Sequence, residues 1–220
     1  MASAPRHLLL LWCAVALLSL AGLGVELWHV ASPSTISEEL LPRFSLSFES
    51  NVPTWFASSL LLVSAIVAGH IAGLPTSAQR RSWWVVAAAF GWASLDEAAE
   101  LHESLGGLFD TRGALYFDWV ISAAVVPLAL AIALWPWLRA LPPGTRRRMI
   151  LASLVYFGGA VVMELPLGWW TDRAGQDSLG YAMIDWVEET MELCGAVLML
   201  RALLLHRAEA MEGSGGELAP

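Results

Sequence analysis

Two short segments carry most of the chemistry that this sequence offers. One reads Ser94-Leu95-Asp96-Glu97-Ala98-Ala99-Glu100-Leu101-His102-Glu103, the other Asp185-Trp186-Val187-Glu188-Glu189-Thr190-Met191-Glu192. Acids so crowded bind protons or cations; oxygen ligands with one or two imidazoles suit Mg²⁺, Mn²⁺, Ca²⁺ or non-haem iron. On a helix turning about 100° per residue, Asp96, Glu100 and Glu103 fall within about 60° of one another. Glu97 flanks that stripe and His102 points away from it. Asp185, Glu188, Glu189 and Glu192 share one face about 100° wide. Glu26-Leu27-Trp28-His29 adds a Glu-x-x-His pair on one helix face, and Glu164 precedes Pro166.

The surroundings of these acids are apolar. Of 220 residues, 57 % are hydrophobic and only 15 % charged, against roughly 25 % charged in an ordinary soluble domain; mean hydropathy is +0.59. The net charge of −8, with twelve Arg, no Lys and no basic tail, argues against nucleic-acid binding. Cys13 and Cys194 lie in apolar runs without a CxxC partner and read as buried thiols. Twelve Trp fit interfacial aromatic belts.

A bilayer core needs about 20 apolar residues per helix. Six stretches qualify, 8–31, 54–74, 82–104, 115–138, 148–170 and 182–206, separated by turn signals such as Ser32-Pro33-Ser34, Pro142-Pro143-Gly144 and Asp172 through Gly180. The expected fold is all-α: a polytopic membrane protein with six transmembrane helices in one bundle over residues 1–207, then a disordered cytoplasmic tail, 208–220. The first stretch runs on to Ala31, longer than the apolar core of roughly 7–15 residues in a cleaved signal peptide. With a cytoplasmic N-terminus, nine arginines lie at inner ends or loops and three (Arg43, Arg112, Arg173) outside. That bias predicts both termini in the cytoplasm. No internal repeat is visible. Thr35-Ile36-Ser37-Glu38 reads as a capping box opening a short interfacial helix in the outer loop, with Ile36 and Leu40 inward. His70, between Gly69 and Gly73, reads as a helix-packing contact.

The third and sixth stretches run antiparallel, so depths compare at about 1.5 Å per residue. Asp96 and Glu192 both fall about 21 Å from the inner boundary, and Glu103 and Asp185 about 31 Å. The two are therefore expected to be packed neighbours, with Glu26, His29 and Glu164 at the same level. Ten carboxylates then face at most five cations, His29, His102 and the three outer arginines. A charged carboxylate near a helix centre costs about 2.5–3.5 kcal/mol. Protons, water or a bound cation must therefore make up the difference. For Glu97, Glu103 and Asp185 a solvated helix end is the competing reading, and for His102 an interfacial position.

The candidate ligands are thus Glu26, His29, Asp96, Glu100, Glu103, Glu164, Asp185, Glu188, Glu189 and Glu192, for a divalent ion (Mn, Ca, Mg or Fe) or protons. Four-helix di-iron proteins use Glu-x-x-His motifs, but only Glu26–His29 has that spacing here. Nothing points to zinc, a nucleotide or an acyl hydrolase. The motifs Leu95-Asp96-Glu97-x4-His102-Glu103 and Glu188-Glu189-x2-Glu192 resemble those of a group of bacterial six-helix multipass membrane proteins of about this size. That resemblance implies the layout, the two acidic segments and an inner-membrane location, and no reaction. Three functions fit: a cation- or proton-sensing module, a metal-dependent enzyme acting on a lipid or other apolar substrate, or a regulator holding a cytosolic partner such as a transcription (sigma) factor. The basic inner loops, with Arg146, Arg147 and Arg148, would dock that partner, although positive-inside anchoring is the favoured account of them.

Overall fold

The computed structural model describes residues 6–75, 77 and 79–215, and all regular structure among them is helical. The helices are α1 (Arg6–Ala31), α2 (Thr35–Phe44), α3 (Val52–Gly73), α4 (Arg80–Ala99), α5 (Trp119–Ala140), α6 (Pro143–Phe157), α7 (Glu164–Ala174) and α8 (Leu179–Gly215). A π-helical segment, Gly158–Met163, joins α6 to α7, and a 3₁₀ turn, His102–Leu105, follows α4. Four stretches are long and apolar enough to cross a membrane: His7–Ala31, Val52–Gly73, Trp119–Ala140 and Pro143–Ala174. Helices α4 and α8, which carry the acidic segments, have the length but not the composition.

Local chemistry sets most boundaries. Pro33 stops α1, since a residue before proline avoids the helical region. Asn51 caps α3 by accepting from the Thr54 N–H, with Pro53 in the first turn. The cap of α2 lies one residue earlier than the sequence suggested: Ser34 accepts from the Ser37 N–H, and the Ser37 hydroxyl takes the Ser34 N–H in return. Ile36 consequently faces out, 60 % exposed, rather than inward.

Three bounds differ more. The third stretch, expected to stay helical to residue 104, leaves the α-helix after Ala99 because Glu100 adopts a left-handed conformation, φ 52°. That conformation costs a non-glycine residue about 1–2 kcal/mol. The fifth is longer than expected and passes through the π segment. The sixth continues as helix to Gly215, where a disordered tail was expected after Arg207; residues 216–220 of that tail lie outside the described ones.

Helix α8 is the axis of the bundle. It packs against α1, α3, α6, the π segment and α7, while α3 and α4 form a close antiparallel pair. Leu193, Val197, Leu200 and Leu203 of α8 meet Leu60, Leu61, Ala68 and Ile71 of α3 in one core. Glycines let α8 come close to the α6–π stretch. A Cβ on Gly159 would stand 2.7 Å from the Glu188 carbonyl oxygen, and one on Gly195 would stand 2.6 Å from the Tyr156 backbone. Such small-residue seams are how helices pack where no hydrophobic drive separates protein from lipid.

The backbone of α4 lies along α3, where Ser58 and Ser94 exchange hydroxyl-to-carbonyl hydrogen bonds of 2.8 Å. It reaches α8 through side chains instead. At one end Trp83 stacks on His206, ring centroids 4.9 Å apart. The acidic residues occupy the other end.

Candidate functional site

Four helices deliver carboxylates to that end of the bundle: Glu26 from α1, Glu97 from α4, Glu164 from α7, and Asp185, Glu188, Glu189 and Glu192 from α8. Their mutual electrostatic reach maps the arrangement. Glu188 feels Glu164, Glu192 and Asp185, while Glu189 feels Glu192, Glu97 and Asp185. Glu192 feels both Glu97 and Glu164, and Asp185 feels Glu26. The acidic face of α8 therefore splits. Glu188 turns toward α7 and Glu164, Glu189 turns toward α4 and Glu97, and Glu192 stands between the two groups.

Burial is deep on the α7 side. Glu188, Glu164 and Asp185 are 4 %, 7 % and 8 % exposed, and one carboxylate oxygen of each (Oε2, Oε2 and Oδ2) is buried without a hydrogen-bond partner. A buried charge left uncompensated costs several kcal/mol. Glu26, also buried, accepts a hydrogen bond from the Ser45 hydroxyl. Tyr156 stands beside Glu192, and Tyr181 near Asp185 and Glu164. Among the described residues no arginine forms a salt bridge with any of these seven carboxylates. Of the three arginines expected at this end, Arg173 is spent on Trp169, with its guanidinium carbon 4.0 Å from the ring centroid.

The other expected ligands go elsewhere. His29 hydrogen-bonds Ser37 at 3.3 Å rather than joining Glu26, so the Glu-x-x-His pair is divided between the cluster and α2. Glu100 accepts from the Ser50 hydroxyl, 2.7 Å away, at the exposed rim. Asp96 pairs with His102 Nδ1 at 3.2 Å, and both are partly exposed. Glu103 lies in the 3₁₀ turn, and its side chain is outside the described ones. The Asp96–Glu100–Glu103 stripe thus does not form. Its premise, an unbroken helix to residue 103, fails at Glu100, and Glu97 is the residue of α4 that turns in.

One participant carried no sequence signal, and another stands where its spacing did not put it. Glu49, on the loop between α2 and α3, stands within electrostatic reach of Glu97, Asp185, Glu189 and Glu192. Loop residues have no periodicity to announce them. His102, expected to point away, reaches both Glu97 and Glu164 and packs its ring 4.5 Å from that of Trp119. Nearby, the Gly107 and Phe109 N–H groups donate to Asp118 at 2.9 and 2.7 Å, closing the loop ahead of α5 and holding that carboxyl below its usual range. Among the described residues no three His, Cys, Asp or Glu side chains converge closely enough to hold a metal ion as they stand.

A helical bundle with four stretches long and apolar enough to cross a membrane, and with acids gathered between its helices at one end, fits the class of membrane proteins with a polar interior. The chain belongs to the family described as Domain of unknown function (DUF8692), matched over residues 7–207. No curated protein and no solved structure matches it.

Proposed function

We propose that this protein is a six-span sensing module of the bacterial inner membrane, both termini cytoplasmic, whose outward-facing carboxylate cluster binds protons or a divalent cation. The observation that carries the reading is the set of unpartnered, buried oxygens on Glu164, Asp185 and Glu188, close to further acids and without an arginine. Positive charge that the chain does not supply must come from a ligand. Protons meet the need with the side chains where they are; a metal ion would draw Glu164 and Glu188 together. Helix α8 supports a sensing role, because it runs unbroken from Glu188 to Glu209, about 31 Å at 1.5 Å per residue. At its far end Glu209 takes Arg148 at 2.7 Å and His206 approaches Thr145 at 3.3 Å. Occupancy at one end can thus move contacts at the other.

The test is the melting of the purified full-length protein with chelator, with Mn²⁺, Ca²⁺ or Fe²⁺, and across pH. A ligand bound only by the folded state stabilises it by about 2.7 kcal/mol at a hundredfold excess over Kd. A divalent-dependent rise that Glu164→Gln and Glu188→Gln abolish supports the cation form. A rise with acid alone, reduced by the same variants, supports the proton form. Melting indifferent to both ions and pH refutes the reading.

A further inference from the structure

Far from the carboxylates, α5 presents a second feature with no role so far. Val125, Leu128, Ile132 and Trp135 recur at i, i+3, i+7 and i+10, and each is at least half exposed. Arg139 continues the same face at i+14. The stripe is not smooth: Ala131, Ile132 and Trp135 line a cleft of about 250 Å³. Pro136 follows directly in the helix and cannot donate to the Ile132 carbonyl.

The stripe ends in positive charge. Arg146, from the first turn of α6, donates to the Arg139 carbonyl at 2.9 Å, which folds a second guanidinium back onto the end of α5. Neither Arg139 nor Arg146 has an acidic partner among the described residues, whereas their neighbour Arg148 is committed to Glu209. An open apolar track thus leads into two unneutralised guanidiniums.

We infer that this face is a binding site for one anionic phospholipid of the bilayer, its phosphate on Arg139 and Arg146 and an acyl chain along the stripe and into the cleft. The dimensions agree. Val125 to Arg139 is about 21 Å of helix, enough to cover one leaflet's hydrocarbon depth of about 15 Å and the headgroup level. Basic pockets at the inner ends of membrane helices select anionic headgroups by charge. The same spacing would suit a second copy of α5, but a parallel two-fold pair would set Arg139 and Arg146 against their own images. Charge therefore favours a lipid. This site is independent of the carboxylate cluster and stands whether or not that cluster binds an ion.

The experiment is native mass spectrometry of the full-length protein in a nonionic detergent with equal amounts of phosphatidylglycerol and phosphatidylcholine. The expected result is one retained phosphatidylglycerol in clear excess, with the preference falling about fivefold for each of Arg139→Gln and Arg146→Gln. Trp135→Ala should weaken retention of both lipids, and Arg43→Gln, at the opposite end of the bundle, should change nothing. Equal retention of the two lipids overturns the inference. So does a preference that survives loss of both arginines, or one that Arg43→Gln reduces as much. A dimer that Leu128→Ala and Ile132→Ala dissolve would assign the stripe to a second copy and likewise overturn it.

Discussion

Placing the acidic face of α8 against the π segment depends on Gly159, and adding one methyl there tests it. In Gly159→Ala the new Cβ would stand 2.7 Å from the Glu188 carbonyl oxygen and 2.9 Å from Glu192 Cγ. The nearer contact is backbone, which cannot swing aside, so α8 must move by several tenths of an ångström. Overpacking of this kind costs about 1–3 kcal/mol. Exchanging glycine for alanine within a helix also gains about 1 kcal/mol of intrinsic propensity, which would blur a single measurement. Gly24 supplies the reference, because its Cβ would meet nothing within 4 Å. Subtracting Gly24→Ala cancels the shared gain and leaves the packing cost, about 1–3 kcal/mol.

Gly158→Ala sharpens the comparison. Its Cβ would approach only Met191 Cε, at 2.9 Å, and a thioether end can rotate away. The expected order of stability is Gly24→Ala above or level with Gly158→Ala, both well above Gly159→Ala. Reversible unfolding of the purified protein in mixed detergent micelles measures it. A Gly159→Ala protein within about 0.5 kcal/mol of Gly24→Ala, a spread typical of substitutions without packing consequences, would refute the close approach and with it the position assigned to Glu192.

Three more outcomes follow from the same geometry. Glu97→Gln should remove most of any ion- or acid-dependent rise in melting temperature, whereas Glu100→Gln, tied to Ser50 at the rim, should leave it; the reverse pattern would restore the Asp96–Glu100 stripe. Ser45→Ala should destabilise by about 1–3 kcal/mol by orphaning the buried Glu26 carboxylate, and a double-mutant cycle with Glu26→Gln should show the two effects to be coupled. Asp118→Ala should speed amide exchange at Gly107 and Phe109. Because folding lowers the Asp118 pKa, its contribution is present above the ordinary carboxylate range and is lost as pH falls through the lowered value, so acid should quicken exchange at these amides in the native protein and change it far less in the variant.

The limits of inference from sequence fall at identifiable residues. The acids of α8 were legible as a set, because Asp185, Glu188, Glu189 and Glu192 lie within one continuous helix where 100° per residue holds. Their division between two partners was not, since it depends on which helices flank α8. On α4 the rule fails at Glu100, where the chain leaves the helix, so the spacing does not place Glu103. The rotation of α4 had a readable cause nonetheless: Ser94 is a polar residue in an apolar helix, and its exchange of hydrogen bonds with Ser58 fixes which side meets α3. Glu97, one turn on at i+3, follows Ser94 around the helix and so comes to the interior, while Asp96 is left to pair with His102. A serine pair on adjacent apolar stretches therefore says more about which carboxylate turns toward the other acids than the spacing of the carboxylates themselves, and exchanging Ser58 and Ser94 for alanine should loosen the position of Glu97 before it unfolds the bundle.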